Sequence, residues 1–218
     1  MLSNTPRLLK GGLVLIDAES AAIQRIISLQ YNPDSLSRTL QIQGAGEAGD
    51  RSDALRLKGP PVETIKLEAE IDATDQLEFP KQKENQAAAA LGVHPQLAAL
   101  ETIAYPSAAA LAANAAIAAV GTIEIVPMES PLALFIWSAQ RILPVRISEF
   151  SITEEAFDPA LNPIRAKVSL GMRVLSVDDL GFQHKGGSLF MAYLRAKEAL
   201  VRRAPAASLS NLGLGGLP

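Results

Sequence analysis

Cysteine is absent from this chain. Its absence excludes disulfide staples, thiolate metal sites and cysteine nucleophiles, and it suits a reducing compartment. Histidine is scarce, with only His94 and His184. Metal sites and acid–base dyads need clustered groups. His94 stands before Pro95 at an expected helix start and His184 lies in an expected turn, so both read as surface or capping residues. Aromatics make up 5% of the chain. They are too few and too scattered for the aromatic-lined hollow of a ligand module. An excess of one charge is also lacking, because 20 Lys+Arg against 23 Asp+Glu leave a net −3. No basic face of the kind that follows nucleic acid is expected.

Catalytic motifs are missing as well. There is no GxSxG elbow, no phosphate-binding P-loop and no CxxC. One GxGxxG match, Gly44 to Gly49, follows a strand pattern. The residues after it, Asp50, Arg51, Ser52 and Asp53, do not open a helix, and Glu47 and Asp50 would repel a phosphate. It reads as a loop rather than a dinucleotide site. Glu154 and Glu155 are adjacent on an expected strand, so they point to opposite faces and cannot work as an acid–base pair. Asp178 and Asp179 form a similar surface pair. No catalytic, cofactor-binding or metal-binding residue is assigned, and the chain is expected not to be an enzyme.

Long apolar runs need one check. No charged residue occurs between Glu101 and Glu124. The stretch is mostly alanine, however, is interrupted by Pro106, Asn114 and Gly121, and has no basic flank. It reads as a packed helical insertion and not as a membrane span. Near the N-terminus, the apolar run 13–16 is short and soon meets Asp17 and Glu19, so no export signal is expected.

What remains is strand chemistry on a chain of 218 residues with 48% hydrophobic content, enough for one sizeable core. Ile27, Leu29 and Tyr31 alternate with polar residues, and so do Leu36, Leu40 and Ile42. The turn-forming run Asn32-Pro33-Asp34-Ser35 lies between them. Residues 23–43 therefore predict a β-hairpin. Residues 44–61 are polar and Gly-rich and predict a long loop, of a kind kept for reaching a partner. Residues 62–72 alternate cleanly, with Ile65, Leu67, Ala69 and Ile71 against Lys66, Glu68, Glu70 and Asp72. The alanine-rich stretch predicts helices at 95–104 and 107–119, with Pro95 at the start of the first.

A short strand is expected at 123–126. Residues 132–137 are apolar on both faces and predict a central, covered strand. Strands follow at 144–153 and 164–174, joined by short turns, so an antiparallel meander is expected. Gly186-Gly187-Ser188 then precedes a helix, with Ser188 as its cap. The residues from 205 on are Gly-rich, with leucines able to dock on a partner. The sum is a mainly β chain with helices: an antiparallel β-barrel or sandwich with a packed helix and an alanine-rich helical insertion. Residues 1–185 are expected to form this domain, with an extended loop at 44–61 and the insertion at 85–121. Residues 186–218 supply a C-terminal helix and a flexible tail.

Two blocks carry a family resemblance. The first is Ile27-Ser28-Leu29-Gln30-Tyr31-Asn32-Pro33-Asp34-Ser35-Leu36-Ser37-Arg38. The second runs from Leu134-Phe135-Ile136-Trp137 through Leu143-Pro144-Val145-Arg146-Ile147 to Phe157-Asp158 and Asn162-Pro163-Ile164-Arg165-Ala166-Lys167-Val168. In this order, over about residues 12–175, they resemble the tube and baseplate adaptor proteins of phage-tail-like contractile injection systems. The resemblance implies a tail-tube-type fold and a structural, tube-initiator ring of six copies. The ring would join the inner tube to the trimeric spike hub, among other baseplate proteins, with neither a nucleic-acid partner nor a membrane insertion of its own. It also implies assembly in the cytoplasm within a particle that is either kept or released. Members of this subtype usually carry a C-terminal LysM domain, whereas residues 186–218 read as a helix and a tail without that module. The alternative reading is a small β-rich module that binds a ligand or carbohydrate.

Overall fold

The computed structural model describes residues 8–44, 55–119 and 130–217. Seven antiparallel strands form one sheet: β1 (Gly12–Ile16), β2 (Ile23–Ser28), β3 (Leu36–Gln41), β4 (Val62–Asp72), β5 (Leu132–Ser138), β6 (Arg141–Phe157) and β7 (Pro163–Val174). Their order across the sheet is β2-β1-β5-β6-β7-β4-β3. The expected meander β5-β6-β7 is present. The expected strand at 123–126 lies outside the described residues.

β6 makes the sheet fold over on itself. It is 17 residues long. Its first part pairs with β5 and the rest with β7, and Val145 serves both. The register slips between Ile147 and Glu149, and a bulge of this kind bends a strand and turns a sheet corner. Each half thus lays its apolar face on the other. Leu13, Leu15, Phe135 and Leu143 from one half share a core with Ile65, Leu67, Val168 and Met172 from the other. β5 is covered on both sides, as its apolar run predicts. Phe135 joins the main core, while Leu132 and Leu134 join Ile16 in a second cluster beneath Leu180 and Leu189.

The fold is mainly β with helices, but the expected barrel does not close. Among the described residues β2 and β3 are edges, and no ladder joins them. They do not form the expected hairpin 23–43 either. β2 returns beside β1 and β3 lies beside β4. The turn-forming run between them instead crosses from one edge of the sheet to the other. Its side chains explain why. Asn32 accepts the Gly11 N–H at 2.9 Å and donates to the Leu9 carbonyl at 2.8 Å. Gln30 donates to the Asp72 carbonyl at 2.6 Å and accepts the Asp72 N–H at 2.9 Å. A carboxamide thus imitates one rung of a ladder between two halves whose strands do not pair there.

Helices close the two ends of the folded sheet. At one end lie α1 (Thr74–Glu78), α2 (Gln86–Leu91) and α3 (His94–Glu101). Val93, Leu97 and Leu100 enter the core there. Gly92 turns the α2–α3 corner at φ 58, and any Cβ on it would collide with the Pro163 carbonyl. α4 (Ala108–Ala119) follows, with no buried residue. At the other end, α5 (Val177–Leu180) begins with a capping box made by Ser176 and Asp179. α6 (Lys185–Val201) then crosses from the Leu132–Leu134 cluster, through Leu189, to the β3–β4 edge. Its cap is His184, whose Nδ1 accepts the Gly186 N–H at 3.0 Å, and not Ser188. The Ser188 hydroxyl instead bonds back to the Lys185 carbonyl.

Candidate functional site

The residues considered for chemistry stay apart. His94 begins α3 and His184 caps α6. Glu154 and Glu155 alternate along β6, and Glu155 meets Lys167 at 3.6 Å. Asp179 is taken up by the Ser176 cap and by Arg173, at 2.6 Å. Trp137 stacks on Phe135, with ring centroids 5.9 Å apart, and belongs to the core margin. Of the Gly44–Gly49 motif, only Gly44 lies among the described residues. It bridges Leu57 across the loop base. Among the described residues no group of three or more His, Asp or Glu could hold a metal, and no helix is long and apolar enough to cross a membrane.

What the described residues do present is exposed surface, in three parts. The first is the pair of edges left unpaired among the described residues. β2 is exposed along nearly its whole length, with Ile23 at 63% and Ile26 at 66%. β3 is exposed toward its end, and Ile42 just beyond it is 74% exposed. An exposed edge leaves a row of backbone N–H and C=O groups ready for another chain.

The second part is the outer face of β4-β7-β6. The alternation of β4 puts Lys66, Glu68, Glu70 and Asp72 there, and the register brings basic partners beside them. Arg165 meets Asp72 at 2.7 Å, and Lys66 reaches Glu149 at 2.6 Å. Burial pushes the Asp72 carboxyl up, but the hydroxyl and N–H of Thr74 and the Arg165 guanidinium outweigh it and hold the group below its ordinary value. This face is polar, charged in both signs and largely neutralised within itself.

The third part is the turn between β6 and β7. Asp158 accepts the N–H groups of Ala160 and Asn162 at 2.8 Å each and the Asn162 carboxamide at 2.8 Å. The Asn162 side chain, then its N–H, hold the Asp158 carboxyl below its usual range. The turn is seated on the α2–α3 corner. There Val93 N–H donates to the Pro163 carbonyl at 2.8 Å and Asn162 to Ala90 at 3.3 Å.

One buried polar group escaped the sequence reading. Glu63, 3% exposed, is held by Arg38 at 2.6 Å and by Lys197 at 3.4 Å. Arg38 also donates to the Tyr193 hydroxyl at 2.9 Å, and the Lys197 ammonium lies 4.2 Å from the Tyr193 ring centre. The network fastens α6 to the β3–β4 edge. Its signal was present in the sequence. Glu63 occupies the same alternating face as Ile65 and Leu67, where a carboxylate needs a cationic partner.

No protein-family model matches the chain, and no curated protein does. Among solved structures it is similar to a chain from the tail of an empty GTA particle with C6 symmetry. The identity is 13% over 76% of this chain and 90% of that one, with a TM-score of 0.29. A likeness of that size assigns this chain neither a fold nor a role.

Proposed function

We propose that the chain is a structural ring subunit of a contractile injection system baseplate, joining the inner tube to the spike hub as a hexamer, and that it is not an enzyme. The observation that carries the reading is the pair of edges, β2 and β3, that end the strand order of one folded sheet and are unpaired among the described residues. An edge of one copy that pairs with the other edge of the next copy makes a head-to-tail contact. Such contacts close into a ring when the rotation closes. The motif residues behind the family resemblance agree with this, since Gln30 and Asn32 fix the crossing between the edges and Arg38 fastens β3 to β4 and α6. The further partners are an adjoining tube-initiator ring, the trimeric hub and other baseplate proteins. The site of assembly is the cytoplasm, within the particle.

The test is affinity capture of the protein from its native cell followed by electron microscopy, with mass photometry of the purified protein alongside. The expected result is contractile particles carrying the protein at one end, and six-copy rings. A lone monomer recovered without sheath or tube proteins would overturn the reading and favour the ligand- or carbohydrate-binding module.

A further inference from the structure

Leu161 sits in the left-handed region, at φ 66, with 77% of its surface exposed. A branched apolar side chain gains from neither condition. Glycine or asparagine would take that backbone position without strain, and polar residues are what turns at the surface ordinarily hold. The turn around it is firmly built all the same. Leu161 donates its own N–H to the Asp158 carbonyl at 2.9 Å, and the Asp158 carboxylate gathers the N–H groups on either side. Two further apolar side chains belong to the same end. Phe157, which closes β6, is 52% exposed, and Leu91, at the end of α2, is 49% exposed. Leu91 stands between Ala90, which accepts from Asn162, and Gly92, which packs on Pro163. A strained leucine is therefore held out in water on a hydrogen-bonded turn, at an end of the fold that exposes two more apolar groups.

We propose that Leu161, with Phe157 and Leu91, is the anchor by which the ring docks onto the ring stacked at its α2–α3 end, entering an apolar pocket rimmed by basic groups or N–H donors. The proposal rests on the ring-subunit reading. The direction of the partner follows from the sheet. Edge pairing runs across the strands, so a lateral neighbour meets β3, whereas the β6–β7 tip of the same half points along the strands, at right angles to that direction. The chemistry of the rim follows from charge. Glu154 on the same hairpin is exposed and makes no ion pair among the described residues. A small apolar anchor on a rigid seat is also the form that binding hot spots take.

The test uses the full chain in its producing cell, with Leu161→Gly and Leu161→Asp compared with the unaltered protein. Particles are counted by electron microscopy. The purified variants are examined by mass photometry and thermal melting. Leu161→Gly relieves the backbone strain, so its Tm is expected to be equal or higher and its rings intact, while complete particles fall at least tenfold. Leu161→Asp is expected to lose particles to the same degree. Normal particle numbers with both variants would overturn the anchor while leaving the ring reading standing. A lower Tm for Leu161→Gly would also overturn it, by making the leucine a turn-stabilising residue. Failure of the unaltered protein to appear in any particle would remove the ring reading and the anchor with it.

Discussion

Lys66 reaches Glu149 at 2.6 Å across a strand that belongs to neither of them. β7 lies between β4 and β6, and the register lines up Lys66, Gly171 and Glu149 across the three strands. Gly171 has no side chain to stand in the way. A Cβ placed there would come 2.9 Å from the Glu149 Cβ.

Space, and not charge, is therefore the sensitive quantity at this point. Gly171→Val is expected to cost about 1–3 kcal/mol, the usual penalty of overpacking. Lys66→Ala should cost less than about 1 kcal/mol, because the ion pair is exposed, at 54% and 64% for its two side chains. Urea denaturation of both variants compares the two. A larger loss for Lys66→Ala would show that the pair matters more than the gap above Gly171.

Gln30 invites a second substitution. Its carboxamide satisfies both backbone groups of Asp72 in a partly buried setting. Gln30→Ala removes both bonds and is expected to cost about 1–3 kcal/mol. Hydrogen exchange should also show the Asp72 amide opening faster than its neighbours on β4. Unchanged exchange at Asp72 would mean that water replaces the side chain without loss.

These two residues mark what was and was not legible in the sequence. Residues 62–72 were readable as β4, because a period of two over 11 residues has no competing explanation. β5 was readable as covered, since its apolar run leaves no wet face. The turn at 157–163 is readable from its two prolines and its aspartate. The pairing of β2 was not. Local turn chemistry at 32–35 suggested a hairpin with β3, while the groups that turn holds, Leu9 and Gly11, lie more than twenty residues upstream. The pattern of β6 predicts a strand only over 144–153, because nothing in it announces that one strand serves two halves of a sheet. The barrel expectation failed at the same point. Closure depends on whether β2 meets β3, and that contact was replaced by the side chain of Gln30. The Glu63 network could have been found from its position on an apolar face. Its partners, Arg38 and Lys197, could not, for they are 25 and 134 residues away.

Glu63 carries the third prediction. Glu63→Ala leaves Arg38 and Lys197 facing each other with no anion between them. Removing one member of a buried pair commonly costs about 3–5 kcal/mol. Arg38 and Lys197 keep 25% and 36% of their side-chain surface in water, so about 1–3 kcal/mol is expected here. The loss should be concentrated in α6, whose amides around Tyr193 and Lys197 should exchange faster than those of β4. Lys197→Ala alone should cost less than about 1 kcal/mol, because Arg38 still pairs with Glu63. Equal losses for the two variants would place the weight of the network on Lys197.

Acid should weaken the fold through a small set of aspartates. The carboxyls of Asp17, Asp72 and Asp158 all lie below their ordinary value of 3.8 in the folded chain. For Asp17 the cause is the Ser20 N–H and then its hydroxyl. A carboxyl lowered by folding contributes stability above its unfolded value and loses it as pH falls through the folded one. The contribution of these groups is therefore level from neutral pH down to about 4 and declines below that, where the unfolded chain binds protons first. Asp158→Asn removes one of them, while its carboxamide oxygen can still accept the turn's N–H bonds. The variant should show a shallower fall of unfolding free energy below about pH 4 than the unaltered chain, measured by urea denaturation at a series of pH values. An unchanged slope would mean that Asp158 titrates alike in the folded and unfolded chain, and that its bonds to Ala160 and Asn162 do not hold the carboxylate in solution.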